Sequence, residues 1–68
     1  MDIPQATILR LPAVRARTGL GATTIYKLIA AGEFPRPVTL VGRSVGWIES
    51  EIASWIAQRV EASRPPAA

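Results

Sequence analysis

Apolar positions recur at helical spacing in some stretches of this chain and alternate in others, and the two periods predict its elements. Residues 1–5 read as a loose arm, and Ala6 to Leu11 as a short, extended, mostly apolar entry. Leu11, Val14 and Thr18 then share one face of a short helix from about Pro12 to Arg17. Pro12 suits its first turn, where a missing N–H costs nothing, and Gly19 ends it. A second helix follows Gly21 and runs to about Ala31. Gly21 is a weak N-cap because it lacks a side-chain oxygen, while Gly32 supplies the left-handed stop.

The second helix has two unlike faces. Ile25, Leu28 and Ile29 fall on one side, with Ala22 at its edge. Thr23, Tyr26, Lys27 and Ala30 fall on the other, flanked by Thr24 and Ala31. A helix built only for solvent usually carries Glu and Lys there. This outer face is lean, hydroxylated and slightly basic, as a helix entering a DNA groove requires. Two short helices joined by a glycine turn make a helix-turn-helix.

Downstream, the prolines of Glu33-Phe34-Pro35-Arg36-Pro37 favour an extended corner, with Phe34 plugging the core. Val38-Thr39-Leu40 alternates as a strand, Val41-Gly42-Arg43 turns, and Ser44 to Trp47 returns, with Thr39, Arg43 and Ser44 on the outer edge. The clearest helix runs from about Glu49 to Glu61. Ile52, Trp55, Ile56 and Val60 share its inner face, and the Arg59 stem lies over Trp55. The tail from Ser63 to Ala68 cannot continue a helix and is expected to be mobile. The predicted fold is mainly α with a small two-stranded β-hairpin: a winged helix-turn-helix. All 68 residues are expected to form one domain, ordered over about 7–61 with flexible ends.

Composition narrows the chemistry. A chain this short buries only about 60% of the surface it exposes when unfolded, so marginal stability is expected. Without cysteine or histidine, it lacks disulfides, the commonest metal ligands and the commonest general base. No nucleophile–base or metal constellation is present, so neither an enzyme nor a cofactor or metal site is expected. Glu49 and Glu51, two residues apart on a helix, do not face each other as a catalytic pair would. No apolar run approaches the roughly 20 residues of a membrane span, and no secretion signal is apparent, so a cytoplasmic, nucleoid-associated protein is expected. Eight Lys/Arg against five Asp/Glu leave a net charge of +3, and seven of the eight cations are arginine, a side chain suited to phosphate and guanine. Trp47 and Trp55 lie in apolar periodic patterns and are assigned to the core rather than to base stacking.

A set of motifs in fixed order carries a resemblance. They are Arg10-Leu11-Pro12, Thr18-Gly19-Leu20, Thr24-Ile25-Tyr26-Lys27-Leu28-Ile29, Gly32-Glu33-Phe34-Pro35-Arg36-Pro37-Val38, Gly42-Arg43-Ser44-Val45-Gly46-Trp47, and Ser50-Glu51-Ile52 with Trp55-Ile56. Over roughly residues 9–60 the chain resembles the AlpA family of phage and prophage regulators, with wider kinship to excisionases and MerR-type DNA-binding domains. The resemblance implies a recognition helix and a wing on double-stranded DNA. The role is transcriptional regulation of a mobile element or, alternatively, bending of attachment-site DNA as a recombination directionality factor. Integrase and RNA polymerase are the protein partners such roles imply, and side-by-side assembly on DNA suits so small a reader. A protein-interaction module using the exposed side of the last helix is the alternative from another class.

Carried over residue by residue, Thr23, Thr24, Tyr26 and Lys27 are the recognition positions, with Tyr26 on phosphate. Arg43 and Ser44 are the wing positions, on phosphate or in the minor groove. Arg15, Arg17 and Arg36 are either backbone contacts beside the helix or ordinary surface cations. The chain departs from the family pattern at Gly21, usually serine, at Ala22, often arginine, and at Ile48, often an aspartate cap. Without that cap, Glu51 has no capping-box partner, and the last helix is expected to start raggedly.

Overall fold

The computed structural model describes residues 6–64. Its elements are β1 (Ile8–Leu9), α1 (Leu11–Thr18), α2 (Ala22–Ala30), β2 (Val38–Val41), β3 (Ser44–Ile48) and α3 (Glu49–Ser63). The order of helix, turn, helix, hairpin and helix is that of a winged helix. The loose arm expected at 1–5, and the tail beyond Arg64, lie outside the described residues.

The α1–α2 turn is tied down at its α1 end. Gly19 adopts φ 73°, a left-handed value that costs glycine nothing, and its N–H closes α1 on Arg15 O at 2.8 Å. Thr18 donates its hydroxyl to Val14 O at 2.8 Å and accepts the Leu20 N–H at 3.3 Å. α2 ends as expected, with Gly32 at φ 74°. Gly32 N–H bonds Ile29 O at 3.0 Å and Glu33 N–H bonds Leu28 O at 2.8 Å, a Schellman pair that satisfies two carbonyls of the last turn.

The sheet corrects the two-stranded expectation. β1 pairs antiparallel with β3 in the register Ile8↔Ile48 and Leu9↔Trp47, so the sheet has three strands in the order β1-β3-β2. The apolar entry segment is thus a structural strand. β2 pairs with β3 as Val38↔Gly46, Thr39↔Val45 and Val41↔Ser44, which leaves Leu40 as the extra residue of a β-bulge. Val41 belongs to the strand, and the wing loop is only Gly42-Arg43.

The expected ragged start of α3 is also corrected. Ile48 supplies no side-chain cap, yet the helix begins directly after β3. The Glu49 N–H donates to Thr7 O at 2.8 Å, so the β1–β3 ladder does the work of a cap. Glu49 and Glu51 place carboxylates in the first turn, where the helix dipole favours them. α3 runs two residues beyond the expected end at Glu61. It outruns the sheet, so Val60, assigned to the inner face, is 42% exposed.

The core takes one buried side chain from each element except β2, and one from the proline corner: Leu9, Val14, Ile25, Phe34, Trp47 and Ile52. Leu20, Leu28, Ile29, Trp55 and Ile56 pack around them. Both indoles are committed inside the fold. Trp47 Nε1 donates to Pro35 O at 3.0 Å, and Trp55 Nε1 donates to Glu33 O at 2.7 Å. Trp55 takes Phe34 edge-on, with ring centroids 4.7 Å apart, and carries Arg59 Cζ 5.0 Å from its own centroid. The two tryptophans therefore strap down the proline corner that links α2 to the wing.

Candidate nucleic-acid interface

α2 turns its apolar stripe inward and its polar stripe to solvent. Ile25 is fully buried, and Leu28 and Ile29 are partly so. Thr23, Thr24, Tyr26, Lys27 and Ala30 are all exposed, and Tyr26 retains 47% of its surface. None of these side chains is held by another side chain or by the backbone among the described hydrogen bonds and ion pairs. Two hydroxyls, a phenol and an ammonium thus stand free on one helix face, with only the small Ala30 between them and the end of the helix. Such a face offers hydrogen bonds to phosphate and base edges and lets a backbone come close. Gly21 gives α2 no side-chain cap, so the first turn presents N–H groups bare of a capping oxygen.

The wing presents a second polar feature. Gly42 has φ 54° and Arg43 does not have a positive φ, the sign pattern of a type II′ hairpin turn. That turn leaves the Arg43 side chain exposed at the tip, with Ser44 half-buried at the first position of β3.

The three less specific arginines separate. Arg15 lines a shallow depression with Pro12, Gly19, Leu20 and Gly21, which places it beside the turn that leads into α2. Arg17 points elsewhere: its Nη2 lies 2.7 Å from Glu49 Oε2, tying α1 to the first turn of α3. Arg36 lies on an open groove of about 1010 Å³ between the proline corner and the outward face of α3, opposite Glu51, Ser54 and Gln58. The carboxylates of Glu33 and Glu51 share that groove with Arg36 and Arg59, so it carries mixed charge. Arg15 therefore groups with α2, and Arg17 and Arg36 group with α3.

Sequence reasoning passed over Gly46. A Cβ there would collide with Ile8 Cγ2 and sit 3.1 Å from Leu9 O and 3.4 Å from Leu40 Cδ1. Only glycine leaves room at this point of β3 for the Ile8 side chain of β1. The signal was present in the sequence, since an isolated glycine inside a strand pattern marks close approach.

Comparison with known proteins gives a consistent picture. Residues 7–60 match the family model described as "Prophage CP4-57 regulatory protein (AlpA)". The chain is 48% identical to "Uncharacterized protein ORF88" of Enterobacteria phage P4, across 87% of this chain and 67% of that one. It is 45% identical to "DNA-binding transcriptional activator AlpA" of Escherichia coli (strain K12), across 76% of this chain and 83% of that one. The matched span runs from the residue before β1 to Val60, three residues short of the end of α3, so it takes in every element of the winged helix, and the chain belongs to the AlpA family of prophage regulatory proteins.

Proposed function

We propose that this protein is a DNA-binding transcriptional regulator of a phage, prophage or mobile element. α2 enters the major groove, and the wing rests on the adjacent backbone or minor groove. The observation that carries this reading is the outer face of α2, where Thr23, Thr24, Tyr26 and Lys27 are exposed and unengaged. Thr23 and Thr24 approach bases from the first turn of the helix, and Tyr26 and Lys27, further along the same face, anchor phosphate. Arg43 and Ser44 hold the wing, and Arg15 adds a phosphate contact beside the turn. Arg17 and Arg36 contribute less, because one is paired and the other faces α3. The relative from Escherichia coli, named as a DNA-binding transcriptional activator, supports the same reading, as does the non-enzymatic character of the family.

Double-stranded DNA is the partner on this reading. A single short helix and a two-residue wing loop cover few base pairs, which favours side-by-side occupancy of neighbouring sites. The whole described chain acts as one reading unit. RNA polymerase is the natural protein partner of an activator, and integrase that of a directionality factor.

The test is selection of binding sites from random-sequence duplex, followed by gel shift over a salt series. Enrichment of a defined site, bound with a steep salt dependence, is expected. Absence of any shift at low salt would reject DNA binding and leave the protein-interaction alternative. Strong bending of the selected site, measured by circular permutation, would favour the directionality role over simple activation.

A further inference from the structure

The wing carries one residue that the polar reading of the tip leaves without a task. Val41 is 73% exposed, more than any other large apolar side chain described. It stands directly before the Gly42-Arg43 loop and opposite Ser44. Its neighbour Leu40 is taken up by the bulge and lies over Gly46, 3.4 Å from where a Cβ would be. The bulge thus lays the 42% exposed Leu40 over the sheet and leaves Val41 at the tip, two positions from the exposed Arg43 guanidinium. A β-branched side chain holds few rotamers, so Val41 is a stiff apolar knob.

We infer that Val41 makes the wing selective for a minor groove that lacks the guanine amino group. The inference rests on the reading of the wing as a DNA contact. The minor-groove floor of A·T pairs shows only acceptors, whereas G·C adds the guanine N2 donor. An apolar knob pressed onto that floor meets no donor over A·T. Over G·C it buries the N2 amino group without a partner, and an unsatisfied donor is costly. Arg43 works in the same direction, because A·T-rich minor grooves are narrow and strongly negative and attract arginine. The cation draws the tip into the groove, and Val41 decides which groove accepts it.

Alternating copolymers isolate this effect. Poly(dI-dC) and poly(dG-dC) present the same hydrogen-bonding groups in the major groove, and inosine lacks the N2 amino group in the minor groove. The full chain is expected to bind poly(dI-dC) and poly(dA-dT) about five- to tenfold more tightly than poly(dG-dC), the low end of the discrimination a single base pair supplies. V41S, whose hydroxyl can accept from N2, is expected to lose most of the preference, the ratio of affinities for poly(dI-dC) and poly(dG-dC) being the readout rather than either affinity alone. Equal binding of the parent to poly(dI-dC) and poly(dG-dC) overturns the inference while leaving DNA binding intact. So does a preference that V41S retains. If V41S weakens binding to all three polymers alike and flattens the binding isotherm, Val41 is a contact between neighbouring copies and the inference is also overturned. Failure to bind any duplex removes it together with the reading on which it rests.

Discussion

The indole of Trp55 on α3 donates to the carbonyl of Glu33, 22 residues earlier, at 2.7 Å. That bond joins the last helix to the residue that follows the Gly32 stop of α2. Together with the Trp47 bond to Pro35, it fixes where the chain leaves α2. Trp55→Phe keeps an aromatic ring but removes the donor together with the pyrrole half of the indole, and weakens the contact with Arg59. The expected cost is about 1 kcal/mol of stability, the usual net value of one hydrogen bond. Urea unfolding measures it, and an unchanged midpoint would show that water replaces the bond at no cost.

Gly46→Ala places a methyl group against Ile8 Cγ2 and close to the Leu9 carbonyl. The backbone oxygen cannot turn aside as a side chain can. β1 must shift, and the expected loss is about 1–3 kcal/mol, as for other overpacked sites. The melting temperature should fall by several degrees for a chain of this size. A variant as stable as the parent would mean that β1 peels from β3 without penalty.

Lys27→Ala removes an exposed ammonium that has no partner within the described fold. Stability should change by less than about 0.5 kcal/mol, as at most surface sites. DNA affinity should fall by a similar factor on every sequence, and the slope of log K against log salt should drop by about one. An unchanged slope counts against a phosphate contact.

Arg17 and Glu49 pair at 2.7 Å, with side chains 46% and 36% exposed. Exposed pairs of this kind contribute little, so Arg17→Ala should cost no more than about 1 kcal/mol, and less in high salt. Glu49→Gln frees the guanidinium. If the carboxylate keeps Arg17 away from phosphate, Glu49→Gln raises DNA affinity beyond the gain expected from one unit of charge alone. A distant control such as Glu61→Gln gives that baseline in the same gel shift.

Much of this was legible in the sequence where a local period carried it. The two faces of α2 follow from the spacing of Ile25, Leu28 and Ile29, and the Gly32 stop from the glycine after an amphipathic run. Placing Phe34 in the core and Arg59 over Trp55 required only helix geometry and a break at the prolines. β1 was legible as extended but not as a strand, because two residues carry no alternation and their partners lie about 40 residues away. The cap on Glu49 came from the Thr7 backbone, which has no residue signature. Val60 follows the helical stripe faithfully, but the stripe does not say where the core beneath it ends. At the candidate interface, periodicity exposed the α2 residues, while the pairing of Arg17 with Glu49 needed the fold, since 32 residues separate them. The loop placement of Val41 was the other miss, and it hid the apolar knob behind a turn assignment.

The buried side chains come one apiece from β1, α1, α2, the proline corner, β3 and α3. No two neighbouring segments own enough of the interior to stay closed by themselves. A domain this small is expected to open as a unit, so a protease meets either the closed fold or an accessible chain. Limited digestion is therefore expected to consume the protein without leaving a durable internal fragment.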